Sequence, residues 1–264
     1  PIARVAAKLA VGYTLDEIPN DITKATPACF EPTIDYCVVK IPRFAFEKFK
    51  DADPTLTTSM KSVGETLAMG RTFKEALQKA LRGLEIKRFG LGADPADRRV
   101  QPPTKAALKK LLCTPNAERI FHVRHALRQG FDIDTIYEYS RIDRWFLQNL
   151  KEIVDYENEI ARFADPGSIP EGVMWKAKRM GFSDVQIATL TGSSEKVVRA
   201  RRRELGIKPA YKKVDTCAAE FDSTTPYFYS TYERETEVTD SGREKIMILG
   251  GGPNRIGQGI EFDY

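Results

Sequence analysis

The sequence predicts an α+β protein with a mostly helical middle and strands toward its two ends, and three observations carry that prediction. From about Lys105 to Gly206 apolar residues recur at three- and four-residue spacing, in short pieces separated by TPN, GFDID, DPGSIPEG, GFSD and TGSS. On either side, β-branched and aromatic residues cluster instead, in ACFEPTIDYCVVKIPRF and PYFYSTYE. The 264 residues, 42% hydrophobic and 10% aromatic, are enough for a real core in one large or two small domains.

The elements follow in order. PIARVAAKLAVGYTLDEI opens directly on a helix, with Ile2, Val5, Ala6, Leu9 and Ala10 on one face and no cap before it. Ile34, Tyr36, Val38 and Val39 then predict a strand bounded by Pro32 and Pro42. TFKEALQKALRGLE is a strong helix: Thr72 and Glu75 have capping-box spacing, and Phe73, Ala76, Leu77, Ala80, Leu81 and Leu84 form the apolar face. Residues 86–104 combine glycine, proline and charge without a period and read as a linker, hence a domain boundary. The longest helix is IDRWFLQNLKEIVDYENEIARF, with Phe146, Leu150, Ile153, Glu157 and Ile160 in a stripe widened by Trp145 and Val154, and Asp143 as the cap. Finally KIMILG reads as a strand leading into the glycine-rich GGGPNRIGQGIEFDY. One strand, one loop and the start of a helix form an incomplete βα unit, so both ends look cut and the chain is expected to be an internal slice of a longer protein.

Composition excludes several classes. Lys+Arg 41 against Asp+Glu 37 leaves a net +4, too slight and too mixed to imply a nucleic-acid partner. Cys29, Cys37, Cys113 and Cys217 contain no CxxC pair, so neither a zinc ribbon nor a disulfide framework is indicated, and a reducing compartment fits. No apolar run approaches the ~18 residues a membrane span needs, and no signal peptide opens the chain. A cytoplasmic protein is the simplest expectation.

Three motifs carry possible chemistry. In GFSDVQIATLTGSSEKVVRARRRELGIKPAYKKVD, Ser183 and Ser193 or Ser194 can cap two helices about a Gly192 turn, and the second, Ser194 to Leu205, bears Arg199, Arg201, Arg202 and Arg203. That is the outline of a DNA-binding helix-turn-helix, although glycine-turn helix pairs are common and basic residues on helices are usually solvated or ion-paired. His122 and His125, the only histidines, are three apart near Cys113, but no further ligand completes a metal site. No GxSxG motif and no assignable triad is present. Gly250, Gly251, Gly252, Gly257 and Gly259 suit a phosphate-binding turn or tight strand-to-helix packing, and no Lys-Ser/Thr follows as in a Walker loop.

VAAKLAVGYTLDEIPNDIT, FEPTIDYCVVKIPRFAFEKF, TTSMKSVGETLAMGRTFKEALQKALRGLE, IDRWFLQNLKEIV, KRMGFSD, YKKVDTCAAEF and ILGGGPNRIGQGIEFDY occur in this order and closely resemble the middle of the large subunit of carbamoyl phosphate synthetase. The resemblance implies two homologous synthetase halves joined by an oligomerisation domain. Residues 1–85 would be an incomplete ATP-grasp tail of the carboxyphosphate half and 86–236 the helical oligomerisation domain. Residues 237–264 would be the first βα unit of a Rossmann-like pre-ATP-grasp domain in the carbamoyl phosphate half.

It also implies an ATP-dependent carbon–nitrogen ligase, supplying pyrimidine and arginine synthesis, that phosphorylates bicarbonate, adds ammonia released from glutamine by a glutaminase small subunit, and phosphorylates the carbamate formed. ATP and Mg (or Mn) would serve sites upstream of Pro1 and beyond Tyr264, so this stretch is expected to bind no cofactor or metal, hold no catalytic residue and be inactive alone. Self-association, without a nucleic acid or membrane partner, is its expected role. Large aromatics of the helical region, Trp145, Phe146, Tyr137, Tyr139 and Trp175, are the expected means. Gly259, Glu261 and Glu65 match positions the family associates with an internal carbamate passage; a turn glycine and lysine-paired or capping carboxylates are the plainer alternatives.

Overall fold

The computed structural model describes residues 2–21, 24–31, 33–48, 51–97, 101–220, 223–249 and 254–255. After helix α1 (Ile2–Ala10), which buries none of its side chains, strands β1 (Cys37–Arg43) and β2 (Gly64–Gly70) pair antiparallel from Cys37↔Gly70 to Arg43↔Gly64. β1 therefore begins later than Ile34 and runs through Pro42, the residue expected to bound it. It lies at the edge of the β1-β2-β5 sheet, where a missing N–H costs no ladder bond, while Ile34 is left 58% exposed outside it. β5 (Asn254–Arg255) pairs with Glu65 and Gly64 on the other edge of β2.

Helix α2 (Phe73–Gly83) starts as expected on Thr72, whose hydroxyl accepts from the Glu75 N–H at 3.3 Å. The capping box closes differently. The Glu75 carboxylate is buried and accepts from the Arg71 N–H at 2.8 Å and the Thr231 hydroxyl at 2.9 Å, not from Thr72. Leu77, Leu81 and Leu84 then enter one hydrophobic core with Leu108, Val123, Leu147, Ile153 and Ile187 of the helical region.

The segment expected to be a linker is in its first half a buried loop, with Leu91 and Asp94 fully enclosed. Its composition has a packing cause. At Gly92 a Cβ would sit 2.2 Å from the Arg124 guanidinium carbon, so only glycine admits that side chain. The charges join Arg88, Asp94, Asp97 and Arg124 in ion pairs. Two buried glutamines fasten the loop on both sides: Gln186 Nε2 donates to the Gly92 carbonyl at 2.7 Å and to Gln78 Oε1 at 2.9 Å, and Gln78 Nε2 donates to the Met180 carbonyl at 3.0 Å.

Seven helices follow: α3 (Lys105–Cys113), α4 (Arg119–Arg128), α5 (Ile133–Ser140), α6 (Arg144–Ile160), α7 (Glu171–Arg179), α8 (Asp184–Leu190) and α9 (Glu195–Glu204). Asp143 caps α6 through the Trp145 N–H at 2.8 Å, and Ser194 caps α9. Ser183 and Gln186 form a reciprocal capping box on α8, and Gly192 makes the turn at φ 67°. The buried stripe of α6 runs through Leu147, Leu150, Ile153, Val154, Glu157 and Ile160, so Leu147 takes the place expected for Phe146. One residue rotates the side chain by about 100°, which carries Phe146 and Trp145 off the stripe.

Strands β3 (Ala210–Lys213) and β4 (Phe228–Thr231) form a second antiparallel pair. The run expected as a strand at KIMILG is not one: Ile246–Leu249 are 84–89% exposed and have no ladder partner among the described residues, and a lone strand does not hold itself together. Gly250–Gly252, Gly257 and Gly259 lie outside the described residues. Helices with two small antiparallel sheets make the α+β class as expected. Among the described residues no helix is long and apolar enough to cross a membrane.

Candidate functional site

The most exposed aromatic feature of the helical region is built by two helix starts. Phe73 is the first residue of α2, and Trp145 and Phe146 lie in the first turn of α6. Their rings interlock: Phe73 lies 5.2 Å from Trp145 and 5.3 Å from Phe146, and the latter two meet edge-on at 5.0 Å and 87°. Such tilted contacts stabilise each ring pair by about 0.5–1.5 kcal/mol beyond burial. Yet Trp145 remains 56% and Phe146 43% exposed. Lys74, bonded to Glu152 at 2.6 Å and Asn149 at 3.2 Å, places polar groups beside the knot, the layout of an interface core with a charged rim.

The other expected aromatics are half-buried and engaged within the chain. The Arg144 guanidinium lies 3.7 Å over the Tyr137 ring and Lys109 5.4 Å over Tyr139, while Trp175 packs against the core. Only part of the expected aromatic set is therefore free to meet a neighbour.

Glu65 lies on β2, and its carboxylate pairs with Lys40 of β1 at 2.8 Å. Across the other edge its backbone pairs with Asn254 of the glycine-rich segment. Gly259 and Glu261 lie outside the described residues.

The basic helix α9 spends much of its charge on partners within the molecule. Arg202 reaches both Asp184 oxygens at 3.1–3.2 Å and the Ile207 carbonyl at 2.8 Å. Arg201 pairs with Glu204 at 3.2 Å and donates to the Ile169 carbonyl, while Arg199 pairs with Glu195. Of the four arginines expected to contact DNA, Arg199 and Arg203 are exposed, and Arg199 is tied to Glu195 of its own helix. A recognition helix needs its basic edge free for phosphates and bases, and here that edge holds α8 and the turn after α9.

A family model described as the carbamoyl-phosphate synthetase large chain, oligomerisation domain, matches residues 65–206, more than half of the chain. The chain belongs to this family. Over its whole length it is 57% identical to a protein named carbamoyl phosphate synthase large chain from Rhodopirellula baltica, covering 25% of that relative. It is 57% identical to one of the same name from Archaeoglobus fulgidus and 58% identical to one from a Nostoc strain, covering 24% of each. The chain thus spans about a quarter of the length of the curated relatives it matches. The helix-turn-helix regulator reading finds no support in these relatives or in the geometry of α9.

The match to the oligomerisation domain begins at Glu65 and so takes in α2 together with the helices, the same grouping the shared core makes. His122 and His125 are both half-buried on α4, and burial pushes both imidazoles below their ordinary range. Phe73 lies on the core face of α2 as its spacing requires, half-buried against the core; sequence reasoning missed that it also meets Trp145 and Phe146. Its place at the first helical position, opposite the first turn of α6, is a tertiary fact that periodicity does not carry.

Proposed function

We propose that this chain is the connecting and self-association segment of a carbamoyl phosphate synthase large chain. Residues 1–85 would close the carboxyphosphate half, 86–236 form the oligomerisation domain and 237–264 begin the carbamoyl phosphate half. The whole enzyme would be a cytoplasmic ligase making carbamoyl phosphate for pyrimidine and arginine synthesis from bicarbonate, ATP and ammonia, the ammonia coming from a glutaminase subunit. Its ATP and Mg or Mn sites would lie outside this chain. Phosphoryl transfer needs metal ions bridging the phosphates, and no catalytic role is assigned to any residue here.

The observation that carries the association role is the exposed Phe73–Trp145–Phe146 knot within the stretch that matches the oligomerisation family. A stable interface buries roughly 800 Å² per partner around aromatic anchors, and the knot supplies anchors with a polar rim. Light scattering of the 264-residue chain across a wide concentration range tests it. A dimer or larger species that dissociates on dilution, and does so at higher concentration in Trp145→Ser, is expected; a strict monomer at high micromolar concentration overturns the reading.

For Glu65, Gly259 and Glu261, the same reading gives a place along a passage for carbamate; in its support, the Glu65 backbone pairs with Asn254, a residue of the glycine-rich segment that also contains the other two in sequence. Gly259 would leave the way unobstructed, and the two carboxylates would accept from the guest's N–H groups. In the complete enzyme, Glu65→Gln should lower carbamoyl phosphate synthesis while leaving bicarbonate-dependent ATP hydrolysis intact. Equal loss of both would assign Glu65 a structural role instead.

A further inference from the structure

A cavity of about 430 Å³ lies among α2, the turn between α7 and α8, and the β3–β4 hairpin. Its lining includes Glu75, Lys79, Arg82, Lys178, Asp184 and Tyr232, and most of these charges are satisfied within the protein. Asp184 accepts from Lys178 at 2.8 Å and from Arg202 at 3.1 Å. Glu75 takes the Arg71 N–H and the Thr231 hydroxyl. Lys79 donates to the carbonyls of Met69 and, at 2.6 Å, Ser230, tying β2 to β4.

Arg82 differs. Among the described residues its one hydrogen bond runs from Nη1 to the Gly181 carbonyl at 2.7 Å, and it makes no direct ion pair. A guanidinium carries five N–H donors in a planar fork, so most of this one has no protein acceptor. Arg82 lines the cavity. Tyr232 also lines the cavity; its hydroxyl has no hydrogen-bond partner among the described residues, and Lys178 and Arg202 lie 5.1 and 5.9 Å from its ring centre. Asp184 is matched by Lys178 and Arg202, Glu75 faces Lys79, and Glu195, also on the wall, pairs with Arg199, which leaves Arg82 without a direct carboxylate partner among the described residues. Burial pushes Arg82 and Lys79 below their ordinary range, so an incoming negative charge would relieve both. The same burial pushes the Glu75 carboxyl up.

We propose that this cavity binds a small oxyanion, a carboxylate or a phosphate, held by the free edge of the Arg82 guanidinium with the Tyr232 hydroxyl as a second donor. Planar two-oxygen recognition is what an arginine fork does best. A bound anion would brace α2, and the hairpin packed on it, against the α7–α8 turn. The inference is independent of self-association.

The test is a titration of the 264-residue chain with inorganic phosphate and, separately, with malonate, read by amide and arginine Nε signals in ¹H–¹⁵N spectra against a sodium chloride control of equal ionic strength. Saturable shifts centred on Gly181–Val185 and Thr231–Tyr232 are expected, and the stronger of the two anions identifies the class. Arg82→Gln should weaken binding about tenfold or more, and Tyr232→Phe by a smaller factor. If Arg82→Gln does not fold, Arg82→Lys asks the same question, since it keeps the charge and loses the fork; weaker binding supports the site. Shifts no larger than those of chloride for both anions, or folded Arg82 variants that bind as tightly as the original chain, would overturn it.

Discussion

The Arg124 guanidinium makes two parallel hydrogen bonds to the Glu157 carboxylate, Nε to Oε1 at 2.8 Å and Nη2 to Oε2 at 2.7 Å, with both side chains almost wholly buried. Its third nitrogen, Nη1, reaches Asp97 at 2.7 Å, and Asp97 pairs in turn with Arg88 at 2.8 Å. Burial works against the ionised Asp97, but Arg124 and Arg88 outweigh it and hold this carboxyl below its usual range. For Glu157 burial prevails and the carboxyl is pushed up. Removing one partner of such a pair costs about 3–5 kcal/mol, because the other is left charged and dry. Glu157→Leu and Arg124→Met should each lose stability on that scale in urea unfolding. The double change should recover part of the loss; a double variant as unstable as the sum of the singles would show that the two are not coupled.

Glycines should respond with opposite signs. Gly92→Ala drives a methyl into the Arg124 guanidinium and should cost roughly 1–3 kcal/mol by overpacking. Gly172, in the first turn of α7, has no atom within 4 Å of an added Cβ. Gly172→Ala should therefore stabilise by a few tenths to about 1 kcal/mol through helix propensity. Thermal unfolding of the two variants checks the pair.

Lys178 sets a pH dependence. Burial, reinforced by Arg82 and Arg202 and opposed by Asp184, pushes its ammonium from 10.5 down to about 8. Between these values the unfolded chain holds a proton that the folded chain has released, so stability rises with pH from about 8 to 10.5 and is level below that window with respect to this group. The gain should be on the order of 3 kcal/mol relative to Lys178→Met, which lacks the titrating group. Parallel curves for the two proteins would contradict this.

The arginines of α9 should divide by burial. Arg202→Ala leaves Asp184 short of a partner and should cost about 2–3 kcal/mol, whereas Arg203→Ala should stay within about 0.5 kcal/mol. Gel shifts with duplex DNA at near-physiological salt should show no sequence-preferring complex for the original chain. A complex abolished by Arg203→Ala alone would reopen recognition through this helix.

Helix identity was legible wherever a cap and a stripe agreed: Thr72, Asp143, Ser183 and Ser194 all begin helices as their residue types require. Periodicity also marked Glu157 as lying on the buried face of α6, but its partner Arg124 is 33 residues away and no local rule selects it. The segment after α2 misled for the same reason. Glycine, charge and proline describe both an exposed linker and a loop whose backbone must approach a buried guanidinium, and only the tertiary partner separates them. Phe146 and Leu147 were a one-residue choice of phase, which apolar spacing decides poorly when two large residues are adjacent. The Arg82 cavity left no trace in sequence, because its walls come from α2, α7 and β4.

The common core of Leu77, Leu81 and Leu84 with the helical region makes sequence partition and physical modularity disagree. A piece excised to begin at residue 86 would carry Leu91, Leu108 and Ile187 without the helix that covers them, and Gln186 without Gln78. It would inherit the seams of a joint with half the joint left behind. A portable unit that keeps this core intact starts before α2, so a truncation or gene fusion that respects the packing carries α2 along with the helices.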